Sequence, residues 1–332
     1  MTPSATEIAL IDRWQRDFPL DPRPYEAAGR AVGLDEDATI AVFERLIDGG
    51  VITRIGAIVK PYSVGASTLA AMRVPPARLD AVAAMVSAEP AVNHNYEREH
   101  ALNLWFVLAG PNPQALSEAI NRIEQASGLA VLDLRMVEAY HLDLGFPLTG
   151  TQTRPMAQIR RSDYRPSADD RRVLAAIEDG LPLTARPYRE VGRAIESDEH
   201  DVIARIRALA AAGIVTRLGC IVRHRSLGFI ANAMVVWDVP EAIVDAVAAR
   251  LLRNPRVTLC YSRQRRLPDW PYNLFCMVHA KSRAEALAII DDLSAVAQTS
   301  SFDQATLFST RCFKQRGAVF STSARAANGR LN

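Results

Sequence analysis

Lysine is almost missing from this sequence: of 39 basic side chains, all but Lys60, Lys281 and Lys314 are arginine. The planar guanidinium grips a carboxylate or phosphate through two parallel hydrogen bonds, which an ammonium cannot do, yet a GC-biased codon usage gives the same skew everywhere. Only arginines clustered with aromatic or histidine residues therefore count toward a site. A large net charge is missing too; the formal value of +2 excludes a polycation built to coat DNA or an anionic membrane. Cysteine is scarce, and Cys220, Cys260, Cys276 and Cys312 form no C-x-x-C pair, so neither a zinc site nor a disulfide framework is indicated. A reducing, cytoplasmic setting is the expectation. No apolar run approaches the roughly 20 residues of a membrane span, and residues 1–10 lack the basic-then-apolar layout of a signal peptide.

What is present, in 332 residues of ordinary globular composition, is an internal repeat. Phe18-Pro19-Leu20, Arg23-Pro24-Tyr25, Gly29-Arg30-Ala31 and Asp35-Glu36 recur as Leu181-Pro182-Leu183, Arg186-Pro187-Tyr188, Gly192-Arg193-Ala194 and Asp198-Glu199, and the match continues from 50–56 to 213–219. The chain is two fused copies of one unit. Each copy opens with three short helices, in the first led by Ile8, Leu10, Ile11 and Trp14, then 25–32, then 35–48 with Asp35 as N-cap and Gly49-Gly50 as the stop. A β-rich stretch, 51–59, completes a winged helix-turn-helix. In a DNA reader the third helix enters the major groove, but here it opens with Asp35, Glu36 and Asp37, and its counterpart with Asp198, Glu199, His200 and Asp201. Carboxylates there repel phosphates, so no DNA partner is expected.

Residues 66–74, 76–87, 91–100, 101–108, 113–127 and 129–139 then read as β-α-β-β-α-β, the ferredoxin-like plan, repeated over 230–239, 241–252, 256–264, 272–279, 284–297 and 304–312. The fold class is α+β: two tandem copies of a winged helix-turn-helix followed by a ferredoxin-like domain. The expected boundaries are 1–60 and 61–145 for the first copy, and 169–223 and 224–320 for the second. Residues 146–168, rich in Pro, Thr, Arg and Ser, read as a linker, and 321–332 as a disordered tail.

The stretch 93–100 carries the chemistry. As a strand it puts His94, Tyr96, Arg98 and His100 on one face, with Asn93, Asn95, Glu97 and Glu99 on the other. A solvated edge strand more often carries Thr, Lys and Ser. Two imidazoles, a phenol and a guanidinium can together move protons, bind a metal ion and hold a carboxylate. Aligning the copies sets Tyr96 against Tyr261 and Arg98 against Arg263, but His94 against Leu259 and His100 against Arg265. Proton transfer is therefore expected on the first strand and anion holding on the second, where Arg263, Arg265 and Arg266 lead to Trp270, able to cover a flat ligand, and Tyr272. After the second wing, Arg223-His224-Arg225 replaces Lys60-Pro61-Tyr62; His224 can ligate iron, donate a proton or clamp a carboxylate, and is equally a candidate surface bystander. His141, His200 and His279 read as structural, solvent-facing and strand-end residues respectively.

A winged helix followed by a ferredoxin-like domain resembles the Lrp/AsnC regulators, and particular strings resemble one branch of them, the siroheme decarboxylases assembled from NirD and NirL or AhbA and AhbB partners. In the first copy these are 54–58, 94–100 and 103–107; in the second 217–219, Arg223-His224, 228–234 and Leu267-Pro268-Asp269-Trp270-Pro271-Tyr272 through Met277. The first copy is similar to the D-type subunit and the second to the L-type, and the resemblance spans nearly everything outside linker and tail.

The resemblance implies conversion of siroheme to 12,18-didecarboxysiroheme, two acetates losing CO2, in heme d1 or alternative heme biosynthesis. No separate cofactor or metal is implied, because the iron belongs to the substrate; His224 or His94 would be its axial ligand. Arg98, Arg263, Arg265 and Arg266 would anchor the retained carboxylates, at about 1.5–3 kcal/mol per charged hydrogen bond, alongside Arg223, Tyr261, Trp270 and Tyr272. His94 or His100 would protonate the carbanion left by CO2, with Tyr96 orienting it. Siroheme is the expected partner, the two halves pair within the chain, and a homo-oligomer or contact with other heme d1 proteins is compatible. The competing readings are a tetrapyrrole-sensing regulator of the Lrp/AsnC type and a non-catalytic siroheme or heme carrier. All of this requires residues 94–100 to project into one cleft that meets arginines of the other half.

Overall fold

The computed structural model describes residues 2–60, 62–142, 145, 148 and 164–317. Most of the expected linker and all of the expected tail lie outside the described residues. In chain order the first copy forms α1 (Ala5–Trp14), α2 (Pro24–Arg30), α3 (Glu36–Asp48), β1 (Ile52–Val59), β2 (Ala66–Met72), α4 (Leu79–Ala88), β3 (Val92–Arg98), β4 (Leu104–Gly110), α5 (Pro113–Ser127), β5 (Leu132–Leu134) and β6 (Met136–Leu142). The second forms α6 (Ala168–Ala176), α7 (Pro187–Ala194), α8 (Glu199–Ala211), β7 (Val215–Val222), β8 (Ala231–Trp237), α9 (Val244–Leu251), β9 (Val257–Arg263), β10 (Leu274–Ala280), α10 (Arg283–Ala297) and β11 (Gln304–Gln315). None of these helices is long and apolar enough to cross a membrane.

These elements gather into two compact units, one holding the described residues of Met1–Ser63 and Ile159–Gly228, the other those of Val64–Leu142 and Phe229–Asn332. In the first unit the helix starts are written locally. Ser4 and Glu7 form a reciprocal capping box on α1, Asp35 and Asp198 accept the N–H groups of Ala38 and Asp201, and Pro24 and Pro187 open α2 and α7. The acidic third helices are partly neutralised, because Glu36 pairs with Arg23 and Glu199 with Arg186. The two winged helices are tied reciprocally: Tyr25 donates to the carbonyl of Pro182 at 2.9 Å and Tyr188 to that of Pro19 at 2.8 Å. Burial pushes both phenols above their ordinary pKa. The wings β1 and β7 pair antiparallel with Gly56 opposite Gly219.

The second unit is a nine-stranded sheet in the order β5-β2-β4-β3-β11-β8-β10-β9-β6. Alternate residues face two cores. On one face Ala70, Met72, Leu104 and Phe106 pack under α4 and α5, and Val235, Trp237, Cys276 and Val278 under α9 and α10. On the helix-free face Leu69, Ala71, Trp105 and Leu134 of the first copy share one cluster with Met234, Tyr261, Phe275 and Leu307 of the second. The copies thus exchange strands. The single strand expected over 129–139 splits at Arg135, so that β5 pairs with β2 while β6 crosses to β9 of the other copy; β11 extends to Gln315 and runs from β8 onto β3. An unpaired strand edge leaves backbone donors and acceptors open, and the exchange fills them.

Gly219 sits under the end of α1, where an added Cβ would overlap the carbonyl oxygens of Trp14 and Gln15, whereas at Gly56 the nearest neighbour is the flexible Arg54 side chain, at 3.0 Å. Backbone cannot give way as a side chain can, and overpacking typically costs about 1–3 kcal/mol. Gly219→Ala is expected to destabilise the protein by that amount and Gly56→Ala by less, read from denaturant midpoints; equal midpoints for the two variants would show that the α1 contact is not tight.

Candidate functional site

Strand β3 is held in the middle of the sheet, between β4 and β11, and its two faces do different work. Toward the helices, the Asn95 amide donates to the Ala83 carbonyl and the Ser87 hydroxyl of α4, both at 3.0 Å, and Glu97 accepts from Arg311 at 2.5 Å. Toward the helix-free face go His94 and Tyr96, opposite Val107 and Trp105 of β4. Their rings stack at 6.2 Å and 22°, and the Arg98 guanidinium lies 5.7 Å from the Tyr96 ring. Arg98 is buried, donating through Nη1 to the Leu307 carbonyl at 3.0 Å and to Asn232 Oδ1 at 3.3 Å.

His100 does not continue this row. The strand ends at Arg98, whose N–H bonds the Asn103 carbonyl at 2.8 Å, and the chain turns. That turn lets His100 Nδ1 accept the Leu102 N–H at 3.0 Å and sets its ring edge-on to Trp270 at 5.5 Å. Burial, then the charge of Arg73, pushes the His100 imidazole below its ordinary pKa.

The second copy repeats the phenol and guanidinium on β9. Arg263 lies 4.7 Å from the Tyr261 ring and donates from Nη1 to the Leu134 carbonyl at 2.6 Å, as Arg98 does to Leu307. Beyond β9 the arginines diverge. Arg265, expected to anchor a substrate carboxylate, is instead taken up by Asp238 at 2.5 Å, by Glu241 and by the Val239 carbonyl at 2.6 Å, because these acceptors lie beside the loop. Arg266 donates to the Asp133 carbonyl at 2.8 Å. Trp270, expected as a cover for a flat ligand, is fully buried, wedged edge-on between Trp105 and Tyr272 at 5.0 Å from each.

His224 and Arg223 belong to the first unit. His224 is buried and opens a short 3-10 turn, His224–Leu227, while the Arg223 N–H bonds the Val51 carbonyl at 2.8 Å. A cavity of about 570 Å³ in that unit is lined by Arg23, Arg186 and Arg189, none of them selected from the sequence. Among the described residues no group of three or more His, Cys, Asp or Glu side chains is arranged to hold a metal ion. His279, read from the sequence as a strand-end residue, lies next to the end of β10, opposite Asn232 of β8, which sequence reasoning did not select and through which it reaches Arg98. The signal was available: each is a polar residue in an otherwise apolar, fully buried strand.

A family model described as a siroheme decarboxylase NirDL-like HTH domain matches residues 7–52 and 170–215, and one described as an AsnC-like ligand binding domain matches 63–141 and 226–314. The siroheme decarboxylase NirDL subunit of Paracoccus denitrificans is 48% identical over 322 residues, 96% of this chain and 98% of that protein. The siroheme decarboxylase of Hydrogenobacter thermophilus is 30% identical over 305 residues, 91% and 90% of the two chains. A crystal structure of siroheme decarboxylase NirDL in complex with an iron-uroporphyrin III analogue superposes with a TM-score of 0.68 at 28% identity over 97% of each chain. Both domain models matched twice, and nearly the whole length shared with a relative at 48% identity, place the chain in the siroheme decarboxylase NirDL family of the Lrp/AsnC superfamily, with the D-type and L-type halves fused in one polypeptide.

Proposed function

We propose that this chain converts siroheme to 12,18-didecarboxysiroheme, taking two acetate carboxyls off as CO2, with the chemistry at the His94–Tyr96–Arg98 row. The observation that carries the reading is the row itself: a stacked imidazole and phenol beside a buried guanidinium, on the face of the sheet shared by both copies. In each loss the C–C bond breaks, its electron pair stays on the acetate carbon, and one proton converts that carbon to a methyl group. A dry site holding the reacting carboxylate without a counter-ion favours its departure as neutral CO2. Guanidinium forks suit the retained carboxylates. Trp270 supports a ligand here too, since among the described residues its buried indole N–H meets no acceptor and an unmade bond of this kind costs about 1–3 kcal/mol, which a substrate oxygen would relieve.

The two histidines divide the work. His100 spends Nδ1 on the Leu102 N–H, so its proton sits on Nε2, and its lowered pKa keeps it neutral near pH 7. It fits the role of a neutral donor that orients substrate. His94, stacked on Tyr96, is then the acid that delivers the proton.

Anaerobic incubation with siroheme followed by mass spectrometry tests the function: a product lighter by two CO2 is expected, and bound but unchanged siroheme would make the chain a carrier. His94→Ala is expected to lower turnover about 10²–10⁴-fold, the usual worth of a positioned acid, with little change in siroheme affinity. Arg263→Ala is expected to weaken binding roughly tenfold or more, as loss of a charged hydrogen bond does, and to spare kcat. Equal affinity losses in both variants would refute this division.

Burial, then the nearby Arg225 charge, depresses the His224 pKa to about 4 and keeps its imidazole neutral. The unfolded chain protonates this residue near pH 6.5 and the folded one only near 4, so its contribution to stability is complete above pH 6.5 and is lost as pH falls from there to 4. A shift of this size corresponds to roughly 3 kcal/mol. His224→Phe is expected to flatten the fall in denaturant midpoint between pH 7 and pH 4.5, and an unchanged slope would show that His224 is not neutral in the fold.

A further inference from the structure

Strands β8 and β10 are buried at every position, yet each carries one residue that has to be hydrogen-bonded there: Asn232, 5% exposed, and His279, 5% exposed. Burying such groups costs free energy unless each is paired, and here the pairing runs in one direction. The Arg98 guanidinium can only donate, so the Asn232 oxygen must face it, at 3.3 Å. The Asn232 amide nitrogen then faces His279 Nε2 at 2.7 Å, and Nε2 must accept. His279 is therefore neutral with its hydrogen on Nδ1, which donates to Thr258 Oγ1 at 3.1 Å; that hydroxyl passes its own hydrogen to the Met277 carbonyl at 3.2 Å. A proton on Nε2 would set two donors against each other at 2.7 Å and break the bond to Asn232.

We propose that His279, locked in its Nδ1–H form, is a positioning residue that fixes Arg98 through Asn232. The relay runs Thr258, His279, Asn232, Arg98, and Arg98 in turn lies against the Tyr96 ring. The inference rests on the reading of the His94–Tyr96–Arg98 row as the substrate site and adds a specificity element to it: a guanidinium whose angle is set before substrate arrives meets one carboxylate of the macrocycle and not its neighbour. Pre-setting such a group removes the ordering cost at the moment of binding.

The test compares Asn232→Leu, His279→Leu, His279→Gln and Arg98→Ala in the full chain, with siroheme titrated anaerobically, KM and kcat measured, and thermal unfolding followed. Asn232→Leu and His279→Leu are expected to raise KM roughly tenfold with kcat retained. His279→Gln, whose side-chain carbonyl can accept from Asn232, is expected to restore most of the loss. Asn232→Leu added to Arg98→Ala is expected to cost nothing more, because the relay acts only through that arginine. A merely structural role would lower the melting temperature while leaving KM unchanged and would add fully to Arg98→Ala; either result overturns the proposal. An Arg98→Ala variant with normal KM would remove the substrate-site reading as well, whereas a damaged Arg98→Ala beside an unaffected Asn232→Leu would remove the relay alone. Imidazole nitrogen NMR, with His279 assigned by its loss in His279→Gln, is expected to show the Nδ1–H tautomer, and an Nε2–H signal would equally overturn the relay.

Discussion

Strand exchange between the two copies is the constraint from which the rest of the second unit follows. β6 leaves its own copy to pair with β9, and β11 runs past β8 to pair with β3, so each half supplies a strand that the other lacks. The exchange has a chemical consequence. Leu134, at the end of β5 just before the chain crosses over as β6, and Leu307, on β11, present backbone carbonyls to Arg263 and Arg98 of the opposite copy at 2.6 and 3.0 Å. Each guanidinium is thereby fixed over its own tyrosine, and the residues proposed to meet substrate also fasten the halves. A charged donor on a buried carbonyl is worth more than a neutral one, so these arginines would be retained for the fold even where only one copy reacts.

That doubling explains which parts were legible in the sequence. The repeat, the winged helices and the β-α-β-β-α-β order follow from local signals, caps such as Asp35 and Asp198 and the alternation of β3 with β4, and they appear in the structure. Strand exchange left no local trace, because a strand that pairs with the other copy needs the same alternation as one that pairs at home. The fate of Arg265 was hidden for a related reason: its acceptors, Asp238 and Glu241, stand more than twenty residues earlier and meet it only through the β8–β10 pairing. His100 was misread by two residues of strand length, since alternation cannot announce a turn that begins at Glu99 without a glycine or proline. His279 stood alone in sequence, and only the register setting it opposite Asn232 reveals a partner.

The same reasoning bears on why a winged-helix shape accompanies this sheet. In a groove reader the wing and the third helix both approach the nucleic acid, the helix bringing cationic side chains. Here β1 and β7 are zipped to each other from Ile52 to Val59, and the first-turn carboxylates Glu36 and Glu199 are held by Arg23 and Arg186 within their own copies. The wings spend their backbone groups on one another, and Arg23 and Arg186 are committed to acid within the fold. The reciprocal Tyr25 and Tyr188 bonds join the pair as well, each phenol reaching the carbonyl of the proline that follows Leu181 or Phe18 in the opposite repeat. A pair joined at both wings and through the Tyr25 and Tyr188 phenols commits to its own partner the groups that a groove reader would turn outward.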